Sequence, residues 1–263
     1  MLMMKIDRVI YCLNDNPTYT GFWNVFSRVW KLKYDIQPTL IYVGDSEEIQ
    51  KNELSDEYGD IVCLPVVDEV VVDPNLDWSV TWGLFYGASL FKDDVCITSG
   101  IDQLPLTDKF FKFLENSEIS NDAYVVGLAG AYLDLPDIHP SSYHVARGDV
   151  YKRIFGIDDD WSVEVKKVFS HRFKYHRLPE NFWALDEAYS SEIINTCGSE
   201  IVLFNMFHDY FNPHRLNRSS NLNYNKAALQ AGEYSELHSV RPYEDYKEYI
   251  DTLISDLMEG LDK

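Results

Sequence analysis

The sequence has few cysteines, and none lie at the spacing of a metal site or a disulfide framework. The four are Cys12, Cys63, Cys96 and Cys197, and no CxxC pair occurs. The first three fall inside predicted strands, where cysteine packs as a small apolar side chain. This pattern argues against a zinc centre and against a disulfide-stapled fold, and it suits a reducing compartment.

Long apolar runs are also missing. Residues Met1–Asp7 carry no apolar leader segment, and no later stretch reaches the length of a membrane-spanning helix. We therefore expect no membrane span and a cytoplasmic location. A lumenal protein whose targeting segment had been removed would show the same pattern, so that alternative stays open.

Positive charge is scarce. The chain has 23 Lys and Arg residues against 43 Asp and Glu residues, a formal net charge of −20. No long basic block offsets this balance, which disfavours a nucleic-acid partner. A small anionic ligand remains compatible with the sequence, because a few focused Arg and His side chains outweigh distant surface charge at short range.

The chain does contain an alternation of apolar strands and amphipathic helices. Apolar residues make up 46% of the 263 residues, which is typical of a folded protein of enzyme size. The predicted strands are Arg8–Leu13, Pro38–Val43, Ile61–Leu64, Val95–Thr98, Ala123–Leu128, Tyr143–Gly148 and Ile201–Phe204. One predicted helix starts at Thr20. The others cover Trp82–Phe91, Phe110–Leu114, Val150–Phe155, Asp186–Ile194 and Tyr243–Met258. This order predicts one α/β domain over residues 1–263, with a mostly parallel central sheet flanked by helices.

The stretch Val95–Leu106 has the features of a ligand-binding strand end. It begins as a short apolar strand, breaks at Ser99-Gly100, and presents Asp102 just past the strand's carboxyl end. Open α/β sheets bind their ligands at that edge. A turn in which Asp102 only accepts nearby backbone N–H groups is the alternative interpretation. Farther along, Phe211–Gly232 predicts a long loop of the kind that closes over a ligand.

Four segments of the chain carry a family resemblance: Ser99–Leu106, Tyr42–Asp45, Ala131–Gly148 and Leu237–Tyr243. The first resembles the segment that carries the DxD motif in GT-A-fold, nucleotide-sugar-dependent glycosyltransferases. The other three are similar to small GT-A-type transferases of large algal viruses and phages. The resemblance covers most of the chain and implies a GT-A fold, with a donor half at roughly 1–106 and an acceptor half at roughly 107–263.

The resemblance also implies a reaction. The expected activity is transfer of a hexosyl or pentosyl group, with inversion, from a nucleoside-diphosphate donor to a glycan or another hydroxyl acceptor. The acidic composition suits a neutral carbohydrate acceptor better than a polyanionic one. If the chain is viral, its expected location is the host cytoplasm.

In the GT-A family, the two DxD aspartates hold Mn²⁺ or Mg²⁺ on the donor diphosphate. Here Gly100 stands at the first position and Asp102 at the second. The resemblance further places a histidine and a basic residue near the carboxyl terminus, which His238 and Arg241 match. It thus implies Asp102 and His238 as metal ligands and Arg241 on the diphosphate. A surface His–Arg pair ahead of a helix beginning near Pro242 is the alternative.

The acceptor side of the resemblance lies in Trp183–Glu187, which is similar to the acidic pair of many inverting GT-A enzymes. It implies Asp186 as first choice for the catalytic base, Glu187 as second choice, and Trp183 as an acceptor-stacking residue. A carboxylate serves well as a base for a hydroxyl group. Acids are also favoured in a first helical turn by the helix dipole, which is the alternative.

Four further residues at strand ends complete the predicted donor site. Asn14 and Asp45 follow the first two strands and are predicted to contact the base or ribose, although turn formation explains them equally well. Arg147 and Gly148 are predicted to lie beside the donor sugar or phosphate. A solvated surface arginine is the alternative for Arg147.

Two other functions remain open from the sequence. A catalytically silent nucleotide-sugar-binding protein would explain Gly100. A nucleotidyltransferase would use a related α/β sheet. Against the second, no Gly-rich phosphate loop followed by a basic residue appears near the first strand.

Overall fold

The computed structural model describes residues 4–71, 78–175, 184–198, 201–205, 214–218 and 223–259. Its strands are β1 (Arg8–Leu13), β2 (Gln37–Val43), β3 (Asp60–Leu64), β4 (Val95–Thr98), β5 (Gln103–Pro105), β6 (Tyr124–Val126), β7 (His144–Arg147), β8 (Ile201–Leu203), β9 (Arg215–Asn217) and β10 (Glu236–His238). Its helices are α1 (Phe22–Tyr34), α2 (Ser46–Lys51), α3 (Trp78–Leu90), α4 (Lys109–Asn116), α5 (Gly148–Phe155), α6 (Trp161–Ser170), α7 (Leu185–Thr196), α8 (Lys226–Gln230) and α9 (Lys247–Met258).

A seven-stranded sheet forms the centre of the fold, in the order β3-β2-β1-β4-β7-β6-β8. β1 pairs in parallel with β2 and β4, and β2 pairs in parallel with β3. β7 runs antiparallel to both β4 and β6, while β8 is parallel to β6. Among the described strands of this sheet, β7 is therefore the one that runs against the others. The predicted α/β class, with a mostly parallel sheet flanked by helices, is confirmed.

Helices cover both faces of the central sheet. In β1, Val9 and Tyr11 join one apolar cluster, and Ile10 and Cys12 join the other, as the two-residue period of a strand requires. The first cluster contains the inner faces of α1, α4 and α9. The second contains those of α3, α5, α6 and α7. Burial on both faces explains why the inner strands β1, β2 and β4 are apolar along most of their length.

A second, three-stranded sheet has the order β5-β10-β9. β5 starts one residue after Asp102 and pairs antiparallel with β10, so Gln103 lies opposite His238. β9 pairs in parallel with β10, so His238 also lies beside Asn217. The start of β5 and the ends of β9 and β10 therefore share one edge of this sheet.

Three predicted elements differ most from the structure. The helix predicted over Trp82–Phe91 begins at Trp78 and ends at Leu90. The predicted loop Phe211–Gly232 contains β9 and α8, although residues 211–213 and 219–222 lie outside the described residues. The predicted helix Tyr243–Met258 starts as a 3₁₀ turn at Glu244–Tyr246, and α9 begins only at Lys247. The Tyr243 N–H donates to Thr18 O at 3.3 Å, so the loop after β1 holds this backbone instead of a helical turn.

Cys12, Cys63 and Cys96 lie in strands, as predicted, with Cys63 exposed. Within the described ranges, no helix combines the length and the apolar character needed to cross a membrane.

Candidate functional site

Asp102 lies in a turn directly after β4, beneath three basic side chains. Its side chain is only 10% exposed. Arg218 Nη1 donates a hydrogen bond to Asp102 Oδ2 at 3.0 Å. His238 Nε2 and Arg241 Nη1 lie 3.6 and 3.7 Å from the same oxygen. The structure thus brings together three of the predicted site residues, and it adds Arg218. We call these four residues the Asp102 cluster.

The small sheet explains why these residues meet. Asp102 precedes β5, His238 ends β10, and Arg218 follows the last residue of β9. Because these three strand ends share one edge, their side chains converge although they are far apart in sequence. A backbone hydrogen bond of 2.8 Å from Ser239 N to Asp102 O ties the two chain segments together.

The fourth member, Arg241, is held by the loop that follows β1. Its guanidinium donates a hydrogen bond to Tyr19 Oη and lies 5.1 Å from the centroid of the Tyr19 ring. Half-burial lowers the pKa of Arg241, because a charged guanidinium is costly to desolvate. Even so, arginine stays protonated at neutral pH.

A buried ion pair between Glu236 and Arg215 joins β10 to β9. Glu236 is 1% exposed and pairs with Arg215 of β9. It also accepts a 2.7 Å hydrogen bond from Tyr143 Oη. Burial raises the pKa of Glu236. Since Glu236 lies two residues before His238 on the same strand, these contacts fix the register of the strand that carries His238.

The charge of the Asp102 cluster suits an anion. Two permanently charged guanidinium groups face one carboxylate, which leaves a local positive charge before His238 is counted. The Arg218 and Arg241 side chains are 34% and 32% exposed, so their remaining N–H groups can reach a ligand. Planar guanidinium groups bind phosphate oxygens through paired hydrogen bonds.

The same residues do not fit a divalent cation. Mn²⁺ and Mg²⁺ prefer several oxygen ligands, but Gly100 contributes no side chain and Asp102 Oδ2 is already within 3.7 Å of three basic groups. In the part of the chain that the structure describes, no three His, Cys, Asp or Glu side chains form a metal-ligating group. The implied ligands Asp102 and His238 are neighbours, but their side chains contact each other and do not surround a common site for an ion.

The predicted acidic pair lies in the first turn of α7. Ser141 Oγ donates to Asp186 Oδ2, and Ser141 N donates to Glu187 Oε1 at 3.3 Å. Tyr132 Oη lies 3.1 Å from both Glu187 carboxylate oxygens. Burial raises the pKa of Asp186. Burial, together with the neighbouring Asp186 charge, also raises the pKa of Glu187.

The acidic pair and the Asp102 cluster are connected through Ser141 and Ser142. Thr98 Oγ1, at the end of β4, donates to Ser141 O at 2.7 Å. Gly100 N donates to Ser142 Oγ at 3.1 Å. This segment therefore lies against the carboxyl end of β4, with contacts to Glu187 and Asp186 on one side and to the Asp102 turn on the other.

The two acids differ in access. Asp186 is 1% exposed, whereas Glu187 is partly exposed. Glu187 is therefore the more accessible of the two acids, and the assignment of either one as the base stays a prediction.

Asn14 and Asp45 have local backbone roles in the structure. Asn14 Oδ1 accepts a hydrogen bond of 3.2 Å from Asn16 N. Asp45 is the N-cap of α2, where it forms a capping box with Glu48. Both lie after parallel strands and hence at the sheet edge where Asp102 is found. Their donor contacts remain predictions. Trp183 lies outside the described residues.

Arg147 and Gly148 are not brought to the Asp102 cluster. Arg147 pairs with Val95 at the amino end of β4, and Gly148 N donates to Asp94 O at 3.1 Å. Because β7 is antiparallel, its carboxyl end lies at the opposite edge of the sheet from Asp102. Arg147 forms an ion pair with Asp149, and a Cβ at Gly148 would overlap the Phe91 carbonyl oxygen.

Sequence reasoning missed Arg218, Tyr132 and Ser141. Arg218 falls in the segment predicted to close over a ligand, and the other two lie in the Ala131–Gly148 segment of the family resemblance. The predicted loop and the family resemblance located the segments that contain these residues, but neither identified the individual residues.

No protein-family model matches the chain, and no curated protein matches it either. Among solved structures, it is similar to the galactosyltransferase LgtC in complex with donor and acceptor sugar analogues, with 11% identity, a TM-score of 0.49, and coverage of 93% of this chain and 95% of that one. It is also similar to an active-site mutant of LgtC, with 10% identity, the same coverage and a TM-score of 0.49. Similarity at this level does not assign an activity to the chain.

Proposed function

We propose that the chain is a glycosyltransferase of the GT-A type, which moves a sugar from a nucleoside-diphosphate donor to a hydroxyl group of a glycan or similar acceptor. The observation that supports this most is the convergence of Asp102, His238 and Arg241. The strand pattern and the resemblance both point to Asp102, and the resemblance alone points to His238 and Arg241, which lie within 3.7 Å of Asp102 Oδ2.

In the proposed reaction, the Asp102 cluster binds the donor diphosphate. The bond between the sugar's anomeric carbon and the diphosphate oxygen breaks, and its electron pair leaves with the nucleoside diphosphate. Arg218 and Arg241 stabilise that growing negative charge through charge-assisted hydrogen bonds. Asp102 holds the Arg218 guanidinium in place through its ion pair.

Glu187 is our candidate for the base. As the acceptor oxygen bonds to the anomeric carbon, its proton passes to the Glu187 carboxylate. Burial raises the pKa of Glu187 to about 8, so its ionised form is a stronger base than an ordinary carboxylate and becomes the major form above that pH. Tyr132 and the Ser141 N–H hold its two oxygens. Asp186 positions Ser141, and Asn14 and Asp45 complete the proposal as contacts for the donor's base or ribose.

A panel of UDP-, GDP-, ADP- and CDP-linked sugars tests this function. Each donor is incubated with the full chain, with and without simple glycan acceptors, and release of the nucleoside diphosphate is measured. We expect turnover with at least one donor, and a loss of about 100-fold or more in Glu187→Gln with donor binding retained. Glu192→Gln, an exposed acid on the same helix, is the matched control and should keep full turnover.

The alternatives give different results in this assay and in a parallel one that supplies nucleoside triphosphates and a sugar phosphate. Donor binding with no turnover in the wild type would identify a silent nucleotide-sugar-binding protein, as Gly100 suggests. Release of pyrophosphate from a nucleoside triphosphate would identify a nucleotidyltransferase. Equal loss of turnover and binding in Glu187→Gln would assign Glu187 to the scaffold instead of to the chemistry.

A further inference from the structure

We propose that the Arg218 guanidinium takes the place of the divalent cation at the donor diphosphate, so that nucleoside-diphosphate binding by this chain requires no metal. This inference rests on the proposed function, because it concerns the same site. It departs from the metal dependence that the family resemblance implies.

The first argument is the position of Arg218. Its Nη1 lies 3.0 Å from Asp102 Oδ2, the oxygen of the one DxD carboxylate that this chain retains. An ion bound to this oxygen would lie beside the Arg218 guanidinium, so the two cations compete for the same carboxylate. Arg218 is placed by the backbone, since it follows β9, whose Leu216 is buried and pairs with Leu237.

The second argument is the space beside Gly100. A Cβ built there would lie 2.9 Å from Gln103 Oε1 and 3.3 Å from Ser142 Oγ. Gly100 N also donates to Ser142 Oγ. Gly100 therefore supplies no carboxylate, and the ends of the Gln103 and Ser142 side chains lie in the space beside it.

The third argument is electrostatic. Arg218 and Arg241 already outnumber the single carboxylate of the Asp102 cluster, and both are partly exposed. A divalent cation brought next to two guanidinium groups is repelled at short range. A diphosphate is attracted by the same groups without any metal.

Isothermal titration of UDP, GDP, ADP and CDP into the full chain, in EDTA and in Mn²⁺, tests the inference. We expect the tightest of these nucleotides to bind equally well, within about twofold, in both conditions. Arg218→Gln should weaken this binding by about 10- to 100-fold, the range for a lost hydrogen bond to a charged group. Arg218→Lys should retain part of it. Arg28→Gln, an exposed arginine on α1, is the matched control and should leave the affinity unchanged.

Mn²⁺ binding is measured separately, from the loss of the free-ion electron paramagnetic resonance signal in the absence of nucleotide. We expect no saturable Mn²⁺ binding that depends on Asp102, so the wild type and Asp102→Asn should show the same free-ion signal. Nucleotide binding that occurs only with Mn²⁺, or a Mn²⁺ site abolished by Asp102→Asn, would overturn the inference while leaving the transferase proposal intact. If no nucleotide binds in either condition, the proposed function fails and this inference fails with it.

Discussion

At the scale of single residues, the acidic pair on α7 departs most clearly from what stability alone would favour. Asp186 and Glu187 are adjacent carboxyl groups in a largely buried environment, and burial raises the pKa of both. The N-terminus of α7 and the donors Ser141 and Tyr132 offset part of the cost of ionising them. Perturbed carboxyl groups of this kind cluster at functional sites.

The raised pKa of Glu187 predicts how stability depends on pH. The folded protein holds this proton more tightly than the unfolded chain, so the contribution of Glu187 is full below its unfolded pKa. It is lost as pH rises through the higher folded value. Glu187→Gln, which stays neutral, should therefore match the wild type in acid and exceed its free energy of unfolding by on the order of 1–3 kcal/mol in alkaline solution.

Urea unfolding of the wild type and of Glu187→Gln, from acid to alkaline pH, measures this difference in the free energy of unfolding. Glu192→Gln provides the control, because Glu192 is exposed on the same helix. A Glu187→Gln protein that is less stable than the wild type at alkaline pH would contradict a raised pKa at this position.

At the scale of elements, the loop between β1 and α1 positions Arg241 through close packing. A Cβ at Gly21 would overlap the ring of Tyr243, which is buried against Phe22 with ring centroids 5.3 Å apart. Tyr243 N donates to Thr18 O in the same loop. The segment that carries Arg241 therefore packs closely against the loop that carries Tyr19, and Gly21 allows this close contact.

Gly21→Ala should therefore separate these two segments. We expect a loss of about 1–3 kcal/mol in the free energy of unfolding, typical of overpacking, and weaker nucleoside-diphosphate binding as Arg241 shifts. Gly156→Ala is the control, since nothing lies within 4 Å of its added Cβ and its cost comes only from a φ of +57°. Equal diphosphate affinity in both variants, measured by titration, would show that Gly21 does not position the site.

The elements also show what the sequence could and could not predict. The long strands and helices of the central sheet follow from periodicity, so β1, β2 and α1 were located with small boundary shifts. The three-residue strands β5, β9 and β10 are too short to show a period. β5 pairs with a strand more than a hundred positions away, and Arg218 lies 116 positions from Asp102, so the local pattern held no sign that these two residues would meet. Family resemblance supplied His238 and Arg241, which periodicity would have missed.

Arg147 and Gly148 illustrate a different limit. Their strand was predicted, but its direction depends on sheet topology, which the residues of one strand do not encode. Because β7 runs antiparallel, the two residues lie at the amino end of β4, away from Asp102. The packing of Gly148 against the Phe91 carbonyl accounts for the glycine without a ligand.

At the scale of the whole molecule, a strongly acidic chain concentrates basic side chains at one edge of its central sheet. The formal net charge is −20, yet Arg218, His238 and Arg241 all lie within 3.7 Å of Asp102 Oδ2. The loop after β1, the turn after β4 and the ends of β9 and β10 meet there. This matches the general placement of ligands at the carboxyl ends of strands in open α/β sheets.

The central claim is that this edge holds the diphosphate of an activated sugar. A crystal structure of the chain with the tightest-binding nucleotide among UDP, GDP, ADP and CDP tests it most directly. The account predicts diphosphate oxygens within hydrogen-bond distance of the Arg218 and Arg241 guanidinium groups. A nucleotide bound at another surface, with the Asp102 cluster unchanged, would contradict it.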